Sequence, residues 1–262
     1  CPIAADSISD RGADMAGHSK WANIKHRKAA VDNKRGKLWS KLARNLIVAA
    51  KTGGGDPSMN LTLRYAIDKA KAANMPADTI DKAIKKGTGE LGGQDYHPVQ
   101  YEGYGPGGVA FIVDALTDNP HRTAPEIKKL FERGGGNMGT ANCVSWNFKT
   151  LGVFRIKAES ISEDALMEVA LEAGADDVAR DDDAFEVVCE VPSYEGVRKA
   201  LEEKKIATES AEITMRPQST ITVDAETGGK VLKLIDAFED HDDVQNVYSN
   251  FDMPEEVMAQ LQ

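Results

Sequence analysis

The sequence predicts an α+β multidomain protein: an N-terminal three-helix domain, then an α+β domain with a ferredoxin-like βαββαβ domain inserted in it. Three observations predict this. Apolar residues recur with helical spacing through the first 90 positions. Beyond a glycine-rich linker at 87–93 the pattern turns to short strands alternating with helices. Between 152 and 215 the elements run β-α-β-β-α-β, the order of a ferredoxin-like domain.

The helical region opens with an amphipathic segment from Lys34 to Lys51. Laid out at 100° per residue, Leu38, Trp39, Leu42, Ala43, Leu46, Ile47, Ala49 and Ala50 share one half of the circle. Lys34, Lys37, Lys41, Arg44 and Lys51 share a separate arc. Gly53-Gly54-Gly55-Asp56-Pro57 ends the helix. A second helix is predicted from about Asn60 to Ala73, with Leu63, Ile67 and Ala70 at core spacing. Asn74-Met75-Pro76 punctuates, and a third helix runs through Ile80, Ala83 and Ile84 to Gly87.

After the linker, Tyr101–Asp114 reads as two short strands about Gly103–Gly108, followed by a helix from about Thr123 to Arg133 and a strand at Val144–Phe148. The ferredoxin-like unit comprises strand Gly152–Lys157, helix Ser162–Ala173, strand Asp177–Arg180, strand Ala184–Val191, helix Ser193–Lys204 and strand Thr208–Met215. A strand at Thr220–Val223, a helix at Gly228–Glu239 and a strand at Val244–Phe251 follow. The pieces flanking the ferredoxin-like unit are each too small to fold well alone. They are therefore expected to form one domain, 91–149 with 217–262, around an inserted 150–216. Residues 15–90 form the basic helical domain. Residues 1–14 read as a disordered extension, with natural translation starting at Met15.

The charge is sorted along the chain. The whole protein of 262 residues has a formal charge of −10. From Met15 to Lys51 ten Lys and Arg residues face one acid, Asp32, for a net +9. Residues 91–262 carry 15 basic and 33 acidic residues, a net −18. A polyanion is attracted to the first third and repelled by the rest, so the partner expected is nucleic acid, held at the N-terminal end. The candidate phosphate contacts are Lys20, Lys25, Arg27, Lys28, Lys34, Arg35, Lys37, Lys41 and Arg44. Trp21, amid this segment, either packs on the helices or stacks on a base.

Other chemistries find little support in the sequence. Gly87-Gly89-Gly92 and Gly103-Gly105-Gly108 both match G-x-G-x-x-G, but neither lies between a strand and the start of a helix, as dinucleotide binding requires. No P-loop is present. The histidines, His18, His26, His97, His121 and His241, form no H-E-x-x-H and no ligand pair with cysteine. Asp181-Asp182-Asp183 and Asp240-His241-Asp242-Asp243 lack the spacing of a calcium loop and read as solvated turns. Cys1, Cys143 and Cys189 suit a reducing cytoplasm, with Cys143 read as a small core residue beside a strand. No apolar run approaches the roughly 18–20 residues that cross a bilayer. The expectation is no catalytic group, cofactor, metal, small-molecule substrate or membrane.

The basic segment also carries a family resemblance. Gly17-His18-Ser19-Lys20-Trp21 with Ile24-Lys25-His26, then Asp32-Asn33-Lys34-Arg35-Gly36-Lys37 and Ser40-Lys41, closely resembles the opening of the YebC/PmpR family. The resemblance continues through Asn74-Met75-Pro76, Tyr101-Glu102-Gly103-Tyr104-Gly105-Pro106-Gly107-Gly108, and Asp118-Asn119 with Arg122-Thr123, and covers Met15 to the C-terminus. It implies a three-domain fold with a ferredoxin-like insertion, and a non-enzymatic, cytoplasmic role in gene expression. Bacterial members are described as DNA-binding transcriptional regulators. A mitochondrial relative is a translational activator, and other members resemble ribosome-associated factors. The function expected is therefore a DNA-binding transcriptional regulator, with a translation factor binding ribosomal RNA on the ribosome as the alternative.

Overall fold

The computed structural model describes residues 35–92, 95–181 and 183–254. The expectations for residues 1–14 and Trp21 lie outside the described residues. Among those described, the chain opens with α1 (Arg35–Gly53), α2 (Leu61–Ala72) and α3 (Ala77–Gly87). Leu42, Leu46, Leu63, Ile67, Ile80 and Ala83 are buried together, so these helices have a core of their own. Gly54, with φ 86°, ends α1 and donates its N–H back to Ala50 O. Asn60 caps α2 by accepting from Leu63 N, while its Nδ2 donates to Ala49 O and Gly54 O. One side chain thereby ties the end of α1 to the start of α2. At Gly87 the helices come so close that any Cβ would run into the Ile47 carbonyl oxygen.

The next elements are β1 (His97–Tyr104), β2 (Ala110–Thr117), α4 (Pro120–Arg133) and β3 (Asn137–Met138). Both long strands exceed the short pair expected, because β1 and β2 pair antiparallel over their whole length, from His97 with Thr117 to Tyr104 with Ala110. α4 starts at Pro120, three residues before the expected position. Asn119 caps it by accepting from Arg122 N, and Pro120 suits a first turn. The strand expected at Val144–Phe148 is absent. Val144 is buried in a loop, a short 3₁₀ turn covers Ser145–Asn147, and Cys143 is half-buried in that loop rather than beside a strand. The cause is Glu102. Its buried carboxylate accepts the backbone N–H groups of Asn142, Val144 and Ser145, which a sheet ladder would otherwise have used.

Then follow β4 (Phe148–Lys157), α5 (Glu163–Glu172), β5 (Asp177–Asp181), β6 (Ala184–Glu190), α6 (Tyr194–Glu203), β7 (Thr208–Pro217) and β8 (Ile221–Thr222). The sheet order β5-β6-β4-β7 is antiparallel throughout, the order of a ferredoxin-like sheet. Phe154 of β4 stacks on Tyr194 of α6 at 4.7 Å between centroids. The chain ends with α7 (Ala225–Glu239), β9 (Val244–Ser249) and β10 (Phe251–Asp252).

Two compact units result. One comprises Trp146–Thr222 with Asn250–Pro254. Its entry and exit are stitched by the buried Asn147, which donates to Ser219 O and accepts from Ser219 N and Oγ. The other holds the described residues of 26–145 together with Val223–Ser249. In it β9 joins β2 to complete the sheet β3-β1-β2-β9. Phe111, Phe131 and Phe238 bind α4 and α7 to that sheet, with Phe131 and Phe238 meeting edge-on at 4.7 Å. The architecture is thus α+β and multidomain, with N-terminal helices and a ferredoxin-like insertion.

Candidate nucleic-acid interface

Of the nine candidate cations, Lys20, Lys25, Arg27, Lys28 and Lys34 lie outside the described residues. Arg35 opens α1. The structure brings the other three together: Lys37, Lys41 and Arg44 are spaced i, i+4, i+7 and share one face of α1, with Asn45 beside them. The opposite face buries Leu42, Leu46, Ala49 and Ala50 in the bundle core.

These cations have intramolecular partners at the C-terminal end of α7. Lys41 Nζ donates to Glu239 O at 2.6 Å and Lys37 Nζ to Asp240 O at 3.3 Å, while Arg44 Nη1 donates to Asp242 O. Asn45 Nδ2 reaches Gln245 Oε1 at 3.1 Å. The chemistry is that of a helix end. The last carbonyls of a helix have no intrahelical donor and carry the negative end of the helix dipole. The last turn of α7 contains no basic residue to offset it. Lys37, Lys41 and Arg44 supply from α1 the cations that α7 lacks. The nearest carboxylates add to the attraction, with Lys37 3.6 Å from Asp240 and Arg44 3.3 Å from Asp243. Burial holds the Lys41 ammonium below its usual range, against the opposing pull of Glu239 and Asp242.

This changes the reading of Lys41 and Arg44. Both donate inward to backbone oxygens, so in this arrangement neither is directed at an external phosphate. Lys37 remains half exposed.

Behind this seam lies a pairing that the charge pattern did not reveal. Asp243 is buried, not part of a solvated turn. It accepts from Arg122 Nη2 at 2.7 Å and from Thr123 Oγ1 at 2.8 Å. Burial pushes its carboxyl upward, but the hydrogen bonds of Arg122, Thr123 and Thr117 outweigh this and hold it below the usual carboxylate value. Arg122 also bridges to Asp118 at 3.0 Å. His241 accepts the Asp243 N–H at Nδ1, which leaves Nε2 facing Glu126 at 3.1 Å. The signal in the sequence was a helix with no cation in its last turn followed at once by Asp240-His241-Asp242-Asp243, an array of oxygens needing donors from elsewhere.

A cleft of about 680 Å³ opens over these residues, with Arg122, Glu126, Lys129 and Arg133 of α4 along one side. Among the described residues, no group of three His, Cys, Asp or Glu side chains could hold a metal ion, and no helix is long and apolar enough to cross a membrane.

Comparison with known proteins places this geometry in a family. The profile of the TACO1/YebC protein N-terminal domain matches residues 19–90, and that of the TACO1/YebC second and third domain matches 96–251. The chain is 53% identical over 247 residues to a "Probable transcriptional regulatory protein" of Natranaerobius thermophilus, covering 93% of this chain and 99% of that one. A protein of the same description from Fusobacterium nucleatum is 54% identical over 248 residues, covering 94% and 100%. A crystal structure of a conserved hypothetical protein from Aquifex aeolicus superposes with a TM-score of 0.81 at 47% identity, covering 90% of this chain and 98% of that one.

Proposed function

This chain belongs to the TACO1/YebC family, and from that premise we propose that it is a non-enzymatic, cytoplasmic regulator of gene expression that acts by holding nucleic acid, most directly as a DNA-binding transcriptional regulator. The relatives' shared description as transcriptional regulatory proteins supports the regulatory role. The observation that carries nucleic-acid contact is the charge: +9 between Met15 and Lys51 in a chain of −10. Lys20, Lys25, Arg27, Lys28, Lys34, Arg35, Lys37, Lys41 and Arg44 are the residues assigned to phosphates, of which Lys41 and Arg44 must first give up Glu239 O and Asp242 O.

A second reading has one observation in its favour. The described cations donate as point charges to oxygens, the chemistry of phosphate contact, which positions a protein without reading bases. A ribosome-associated factor gripping ribosomal RNA needs nothing more. Crosslinking the protein to nucleic acid in cells and sequencing what is attached separates the two. Promoter DNA supports the transcriptional reading, ribosomal RNA replaces it with the translational one, and no attached nucleic acid overturns both.

A further inference from the structure

We propose that the face of α1 carrying Lys37, Lys41 and Arg44 is a nucleic-acid surface that α7 occupies in the absence of a strand, so that docking of α1 on α7 and binding of a sugar–phosphate chain exclude one another. The proposal rests on the nucleic-acid reading above and adds to it an internal competitor.

Three observations converge. First, the seam is polar. The bonds that α1 makes to 239–245 run from Lys37, Lys41, Arg44 and Asn45 to three backbone carbonyls, two carboxylates and one amide oxygen. Second, the helical bundle has an apolar core to which the seam contributes nothing. Its ten buried core residues among those described all lie between Leu42 and Ala83, on α1, α2, α3 and their connections. Third, what α7 offers is what a nucleic-acid strand offers: a row of anionic or partly anionic oxygens. The end of α7 stands in for phosphates.

Geometry makes the two partners exclusive. Lys41 is mostly buried with Nζ on Glu239 O, and Arg44 is committed to Asp242 O and Asp243. Neither can hold an external phosphate without giving up these partners on 239–243. A strand that gains all three cations must displace the helix end. For Lys41 the exchange replaces a neutral carbonyl by a phosphate's full charge, while Lys37 and Arg44 exchange the Asp240 and Asp243 carboxylates for phosphates.

The test uses a zero-length crosslinker on the full chain. A carbodiimide joins the Lys37 amine to the Asp240 carboxylate, 3.6 Å apart and both exposed, with loss of water to the reagent. The Lys230–Glu226 pair, 2.7 Å apart on α7, is the internal control. The probes are a short fluorescein-labelled RNA strand and a DNA duplex of matching sequence. Saturating probe is expected to abolish the Lys37–Asp240 crosslink and spare Lys230–Glu226. The isolated Lys37–Asp240 crosslinked protein should bind about tenfold more weakly than the double variant Lys37→Gln/Asp240→Asn, which loses the same two charges without being locked. Asp240→Ala should bind more tightly than wild type, and by more than Asp236→Ala, which removes an equal charge one turn earlier on α7. An undiminished Lys37–Asp240 crosslink at saturation, or a locked protein that binds as the Lys37→Gln/Asp240→Asn variant does, overturns the proposal while leaving the function standing. A wild-type chain that binds neither probe at low salt overturns both.

Discussion

Two arginine-centred regions use charge in opposite ways. In the ferredoxin-like unit, Arg155 is enclosed by three carboxylates, Asp181 at 2.9 Å, Asp183 at 3.1 Å and Glu209 at 3.2 Å. One cation meets three acids, and the surplus is negative. On α1, three cations share two carboxylates, Asp240 and Asp243, and the latter is claimed by Arg122 as well. Their remaining acceptors are backbone carbonyls, which orient a cation without neutralising it. The first arrangement is closed to a polyanion. The second seats each of its cations on a backbone carbonyl, and it lies on the helix where the sequence concentrates its cations.

The sharpest contrast comes from Glu102, which does for amides what α1 does for carbonyls. Glu102→Ala leaves three N–H groups, two of them on largely buried residues, without an acceptor, and should cost about 3 kcal/mol in urea unfolding. Asp243→Ala should cost about 2 kcal/mol, less than the 3–5 kcal/mol of a fully buried pair because its partner Arg122 is half exposed. Acid tests the same two groups. Both carboxyls are held below their ordinary values of 4.5 and 3.8. Their contribution is complete above those values and is lost as pH falls through the lower values of the folded protein. Wild-type stability should therefore drop below about pH 4, and the drop should be shallower in Glu102→Gln.

Lys41→Met keeps the length of the side chain but removes the donor to Glu239 O. It should cost about 1 kcal/mol and reduce the salt slope of nucleic-acid binding by about one. Asp183→Asn should change stability by less than about 0.5 kcal/mol, since Asp183 is exposed and Arg155 retains Asp181 and Glu209. If Asp183→Asn instead proved as costly as Asp243→Ala, the distinction between the two regions would fail.

The elements that the sequence disclosed are those whose information is local. Period and capping revealed α1, α2 and α3, and the β-α-β-β-α-β order revealed the ferredoxin-like sheet. The missing strand at Val144–Phe148 was invisible because its backbone donors go to Glu102, some 40 residues away. The early start of α4 was marked by Asn119-Pro120, a cap and first-turn pair that apolar spacing alone passes over. At the site, the cationic face of α1 was legible from its 100° periodicity. Its acceptors were not, because the end of α7 lies some 200 positions further along the chain. A run of acids such as Asp240-His241-Asp242-Asp243 reads as a solvated turn until Arg122 and Arg44 are seen to converge on Asp243.

The central claim is that the cationic segment of residues 20–44 holds a sugar–phosphate chain. Its most direct test is the affinity of the intact protein for duplex DNA and single-stranded RNA between about 50 and 200 mM salt, where six or more phosphate contacts should lower affinity by about a thousandfold or more. The account predicts that steep fall for at least one of the two, and a shallower one when Lys34, Arg35 and Lys37 are changed to glutamine. A flat dependence on both, or a slope unaltered by those substitutions, would contradict it.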